Sequence, residues 1–184
     1  MHDTLFGRFA MCVVIFLAAG SSGADLLKAP ATDGGQLQFD GVYYDYRDAK
    51  AQKAIKMWVP PGDAPIRGML FHGNPGGGGG DTRNLARDAN LQEFAARHRF
   101  AIVGVTWFPG GRVYNETGKA ILQAFDDWAK LGRHPEIANL PIIARGSSNA
   151  GVTAYSLACL APQRSITSAR AGTISTLLTR RWRH

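Results

Sequence analysis

At 184 residues, 45% of them hydrophobic and 19% charged, with 22 Gly and 9 Pro, the chain reads as one globular domain, which excludes a disordered or fibrous protein. The formal charge of +7 is uneven: residues 164–184 hold Arg164, Arg170, Arg180, Arg181 and Arg183 and no acid, so +5 belongs to that stretch and residues 25–163 carry only +2. A near-neutral body with a basic end is not the broad basic face of a nucleic-acid-binding domain, and nucleic acid is excluded as a partner.

The first residues have the pattern of an export signal. Arg8 precedes an apolar run at residues 9–19, and Ser22-Gly23-Ala24 supplies small residues for cleavage after Ala24. A membrane-spanning helix needs about 20 apolar residues, so an amino-terminal anchor is the weaker alternative. The expected location is periplasmic or secreted, with no membrane association after cleavage. Cys12 falls in the signal, leaving Cys159 as the one thiol of the mature chain, so no internal disulfide is expected. Its apolar surroundings (AYSLACLA) predict a small core residue.

A polar, Gly-containing lead-in at residues 29–35 follows. Residues 42–46 (VYYDY) and 54–59 (AIKMWV) predict two strands, the second ended by Pro60-Pro61-Gly62, joined as an antiparallel hairpin through polar residues 47–53. The period then changes. Residues 67–71 (RGMLF) are a short strand running into the Gly-rich residues 72–80, and Leu85, Ala89, Leu91, Phe94 and Ala95 predict a helix over 85–98, with Asp81 and Thr82 as candidate caps. Residues 100–107 (FAIVGVTW) are nearly all apolar, as in a strand buried on both faces. Residues 118–131 predict a second helix, 140–144 another strand and 152–160 a third helix. Strands alternating with helices imply right-handed crossovers and a parallel sheet. Residues 164–184 show no clear apolar period, so they are expected to be a basic tail, either flexible or translated out of frame.

Two loops carry the chemistry. In Gly146-Ser147-Ser148-Asn149-Ala150-Gly151, between strand and helix, a sharp elbow would project its central side chain above the sheet, and small residues are needed two before and two after it. Centring on Ser148 puts Gly146 and Ala150 there, whereas centring on Ser147 would put Arg145 and Asn149 there. Ser148 is therefore the candidate nucleophile. Asn149 opens the helix and offers a backbone N–H to a developing oxyanion. The bland alternative is a Ser/Asn-capped helix. The second loop, His72-Gly73-Asn74-Pro75-Gly76 and the four glycines after it, suits a backbone that must approach a substrate closely. A phosphate cradle would need Gly-Lys-Ser/Thr at its end, but Gly80-Asp81-Thr82 stands there.

These residues, with Met57-Trp58-Val59-Pro60-Pro61-Gly62 and Met69-Leu70-Phe71-His72-Gly73, resemble the α/β-hydrolase superfamily. Within it, the pattern is similar to secreted polyhydroxybutyrate depolymerases and feruloyl esterases, over residues 40–163. The resemblance implies an α/β fold of the α/β-hydrolase type: a mostly parallel sheet with an N-terminal antiparallel hairpin, incomplete at its C-terminal side. It implies Ser148 as nucleophile, an oxyanion hole at Gly73, Asn74 and Asn149, and a structural loop and elbow at His72, Gly76, Gly146 and Ala150, where Ala150 replaces a usual Gly. No metal or cofactor is expected, and a small-molecule ester is the expected substrate.

The resemblance also implies an acid and a histidine after the nucleophile. The 36 residues beyond Ser148 contain no Asp or Glu, and His184 is their one histidine. His98 and His134 are expected on the surface, and Asp126 and Asp127 on an ordinary helix face. The domains are thus expected at 1–24 (signal), 25–163 (partial hydrolase domain) and 164–184 (tail). The expected function is an exported serine ester hydrolase scaffold inactive on its own. A non-catalytic binding module and a non-functional gene fragment are the alternatives.

Overall fold

The computed structural model describes residues 26–48, 53–73, 80–107, 114–147 and 149–171; the expected signal lies outside them. The polypeptide forms an α/β structure around one eight-stranded sheet. Its strands are β1 Leu27–Pro30, β2 Gln36–Phe39, β3 Tyr43–Asp48, β4 Lys53–Trp58, β5 Gly68–His72, β6 Phe100–Trp107, β7 Ile142–Ser147 and β8 Ser165–Ala171, in the spatial order β1-β2-β3-β4-β6-β5-β7-β8. The helices are α1 Ala89–His98, α2 Tyr114–Leu131 and α3 Asn149–Leu160.

The sheet is mixed. The pairings β1–β2, β2–β3, β3–β4 and β4–β6 are antiparallel, while β5–β6, β5–β7 and β7–β8 are parallel. The expected mostly parallel sheet is corrected on this point, and the antiparallel part is four strands rather than one hairpin. Most of the lead-in is a tight turn: the Gly34 N–H donates to Ala31 O at 2.9 Å, and Gly34 has a φ of 86°, which glycine adopts without strain. Strands β1 and β2 flank it with four residues each, too short for alternation to stand out in the sequence. At the other edge, residues 165–171, read from sequence as the start of the tail, pair with β7.

Alternation sorts the side chains onto two faces. Phe39, Tyr44, Tyr46, Ile55, Met57, Met69, Phe71, Val103 and Val105 meet Ile121, Phe125 and Trp128 of α2 and Leu157 of α3. On the opposite face Trp58 and Ile102 pack with Ala86 and Ala95. Strand β6 is buried on both faces, as its unbroken apolar run predicts. Helix α1 is capped by Asp88, whose carboxylate accepts from Leu91 N at 2.8 Å. Asp81 and Thr82 instead precede a 3-10 turn, Arg83–Arg87, with Asp81 paired to Arg83 at 2.6 Å. Among the described residues, no helix is long and apolar enough to cross a membrane.

Three polar residues are placed differently from expectation. Asp127 is buried: it accepts from the backbone N–H and hydroxyl of Thr32, at 2.9 and 2.8 Å, and so ties α2 to the β1–β2 turn. His134 is also buried, its Nδ1 3.0 Å from Glu136 Oε1, which in turn accepts from Ile66 N at 2.9 Å. Cys159 is exposed on α3 rather than in the core, because α3 turns other residues, Ala154 and Leu157 among them, inward.

Asp127 makes stability depend on pH. Burial alone would raise its carboxyl pKa, but the two Thr32 hydrogen bonds, Gln123 and Lys130 outweigh that and hold it below the usual range. A group depressed in the folded state contributes fully above its unfolded pKa, about 4, and loses that contribution as pH falls through the folded value. Asp127→Asn should therefore lower stability by about 1–2 kcal/mol at pH 7, a melting shift of about 3–6 °C. The gap from wild type should narrow below about pH 4. Thermal melts across that range check this, and a gap independent of pH would contradict it.

Candidate functional site

Strands β5 and β7 are parallel neighbours, with His72 registered against Arg145. The segments that follow them therefore leave the sheet at the same edge. Ligands of open α/β sheets bind at that carboxyl edge. The Gly-rich loop follows β5, and the Gly146–Gly151 segment spans the end of β7 and the start of α3.

The backbone passes from strand to helix across position 148. Strand β7 runs to Ser147 and helix α3 begins at Asn149. Ser148 itself lies outside the described residues, as do Asn74 and Gly76. Either side of it the two elements touch: a Cβ added at Gly146 would stand 2.3 Å from Ala150 C and O and 2.7 Å from Ala150 Cβ. No side chain larger than hydrogen fits at Gly146, and Ala150 is itself buried. These are the two positions that the elbow argument required to be small.

Gly73 joins the same contact. A Cβ there would lie 2.6 Å from Ala150 O, so the start of the Gly-rich loop rests on the first turn of α3. The Gly73 N–H donates to Arg145 O at 2.8 Å. That amide is spent on holding β5 to β7 and is not free to meet a ligand. Asn149 N sits in the first turn of α3, where amides have no partner within the helix.

The far end of the loop is fixed by a residue that the sequence offered only as a helix cap. The Thr82 hydroxyl accepts from Val105 N at 2.8 Å and lies 2.9 Å from His72 O and 3.0 Å from Val105 O, either of which can take its one proton. Thr82 N also donates to Val105 O at 3.1 Å. Thr82 thus clasps the return of the loop to the ends of both β5 and β6. The approach is so close that a Cβ at Gly104 would meet Thr82 O at 2.1 Å. The legible signal was Gly104 itself, a lone glycine in an otherwise apolar strand, which marks close backbone approach.

His72 contributes its carbonyl to that clasp. Burial, and the positive charge of Arg145 beside it, push its imidazole below the usual histidine pKa, so it is neutral at pH 7. Two further histidines stand at the other edge. His98 ends the helix before β6, its ring 4.9 Å from Phe94, and His134 precedes β7. Both therefore sit where the parallel strands begin, while the two loops lie where they end. Asp127 is committed to Thr32, and Asp126 lies near Arg164, which precedes β8. Among the described residues, no group of three or more His, Cys, Asp or Glu could hold a metal ion.

No protein-family description matches the chain, and no curated protein matches it.

Proposed function

We propose that this chain carries the nucleophile elbow and Gly-rich oxyanion loop of an exported serine carboxyl-ester hydrolase of the α/β-hydrolase type, with Ser148 as the nucleophile. The observation that carries the reading is the three-way contact of Gly146, Ala150 and Gly73, where a strand end, a helix start and the neighbouring loop meet with room for no further side chain. A serine between Gly146 and Ala150 would stand above the carboxyl edge of the sheet, beside the amide of Asn149 and those of the loop after Gly73. Amides aimed at one oxygen stabilise the charge that develops on an ester carbonyl during acyl transfer. Small-molecule esters are the substrate class, and export follows from the pattern of residues 1–24.

A serine hydroxyl is a poor nucleophile at neutral pH unless a base removes its proton. Among the groups weighed from the sequence, His98 and His134 sit at the opposite edge and Asp127 is tied to Thr32, so the 184-residue chain alone should hydrolyse p-nitrophenyl esters at close to the buffer rate. Robust hydrolysis abolished by Ser148→Ala would retain the nucleophile and overturn the incomplete triad. The elbow is tested separately by crystallography. Ser148 Oγ is expected within about 3–4 Å of a point reached by the Asn149 and loop amides. An oxygen pointing into a straight helix or strand would end the hydrolase reading.

A further inference from the structure

The antiparallel end of the sheet has a second surface that is independent of the hydrolase reading. One face of β1–β4 carries Leu37, Phe39, Tyr44, Tyr46, Ile55 and Met57 into the core. The side chains between them face the other way, and the register aligns them in rows. Lys28 pairs with Gln38, Gln38 with Asp45, and Asp45 with Lys56, giving one row across four strands. Gln36 and Arg47 are direct partners in the next row. Neighbouring strands stand about 4.8 Å apart, so the first row spans about 14 Å. Lys28, Gln36, Gln38, Asp45 and Arg47, with the strand at Leu37 between the glutamines, line an open groove of about 350 Å³, within the size range of small-ligand sites.

The donor set defines a ligand. Lys56 is nearly buried, stacked over the Tyr43 ring at 4.7 Å and bonded to Asp45 Oδ2 at 2.6 Å. It therefore fixes the Asp45 carboxylate and neutralises it. The other oxygen of Asp45 can only accept, so it calls for a hydroxyl or N–H from the ligand. The two glutamines can donate and accept, which suits hydroxyls. Lys28 and Arg47 remain as positive charges on either side of the Gln–Asp pair, and Arg47 offers the planar fork that fits a carboxylate. A free phosphate or a sulfate ester would use the cations but bring few or no hydroxyls for Asp45 and the glutamines. A neutral sugar would use the amides and leave the cations idle.

We propose that this groove binds a hydroxylated carboxylate, the chemistry of a uronic-acid residue in an acidic saccharide. Its carboxylate would sit at Arg47 or Lys28, with its hydroxyls on Gln36, Gln38 and Asp45. Lying across the strands, the site would take two or three consecutive sugars.

Titration calorimetry of the full chain with a galacturonic-acid tetramer tests this, with a neutral xylose tetramer and dextran sulfate as comparisons. Saturable binding of the uronate oligomer is expected, with the neutral oligomer at least about tenfold weaker. Arg47→Gln and Gln38→Ala should each weaken uronate binding about five- to tenfold. Replacing Arg180, Arg181 and Arg183 together by glutamine should leave it unchanged. Circular dichroism of each variant separates lost binding from lost folding. Three results would overturn the proposal: equal binding of the neutral oligomer, binding that follows the tail arginines and ignores Arg47 and Gln38, or no binding by folded protein. The last would leave these rows as an ordinary solvated sheet face.

Discussion

Replacing Gly146 by alanine is expected to be among the most damaging single-methyl changes in the protein. The new Cβ would stand 2.3 Å from the backbone C and O of Ala150 and 2.7 Å from its Cβ. None of those atoms can rotate away, since two are backbone and the third is fixed to it. Strand β7 and helix α3 would have to separate by roughly an ångström, in a close-packed interior that transmits such strain. The expected cost is at least about 3 kcal/mol, read as a fall in melting temperature of about 10 °C or as insoluble protein. Gly62→Ala is the comparison: that glycine also becomes alanine, but nothing lies within 4 Å of the added carbon. Its one penalty is a φ of 90°, about 1 kcal/mol. Should Gly146→Ala melt within 2 °C of wild type, the tight contact would be absent, and with it the support for the proposed elbow.

Arg164→Ala should rank close behind, because this arginine is interior scaffolding. Its Nε and Nη2 donate to Leu140 O and Ile137 O, at 3.1 and 2.9 Å, and its guanidinium lies 5.7 Å from the centre of the Phe125 ring. It is 8% exposed. Burial pulls its pKa down from the usual arginine value, and the nearby Asp126 charge partly offsets this. The main chain adds a further tie, Ile142 N donating to Arg164 O at 2.6 Å. Removing the side chain strands two buried carbonyls and opens a gap under Phe125, for an expected loss of about 3 kcal/mol. Arg164→Met restores the volume but not the donors and should recover only part of that loss. Denaturant titration of wild type, Ala and Met variants checks the order, and an Arg164→Ala protein as stable as wild type would show that the bonds to Leu140 and Ile137 contribute little.

Arg164 also shows why part of this fold was hidden in the sequence. An arginine among Ser, Thr and Ala reads as solvated charge, and no one-dimensional pattern reports that two carbonyls wait for it. Strand β8 was missed for a related reason: SITSARA has one large apolar residue, Ile166, and that one is 63% exposed. An edge strand held by backbone pairing needs no apolar stripe. Where the pattern was strong, reading was straightforward. The eight-residue run from Phe100 to Trp107 matches β6 residue for residue, and the β3–β4 hairpin pairs as its aromatic and alternating halves suggested.

The small residues of the candidate site were legible because a strand–turn–helix bend leaves a compositional mark at fixed offsets. Thr82 was not, since its partners come from the ends of two strands 10 and 23 positions away. Nor was the burial of Asp127, whose bond partner Thr32 is 95 positions distant. In each case the side chain is polar, and only the fold decides whether water or a remote amide satisfies it.

The strand order has a consequence for biosynthesis. Strand β5 is flanked by β6 and β7, both made after it, whereas β1 to β4 zip together from neighbouring segments. A nascent chain can close its first four strands as soon as they emerge. Its Met-Leu-Phe segment at 69–71 then waits with both hydrogen-bonding edges bare until β6 is made, and with one edge bare until Ser147 has been synthesised. During that interval it is the segment best suited to adhere to other chains. A pause in translation between β6 and β7 should accordingly favour aggregates that a β5-directed holdase would suppress.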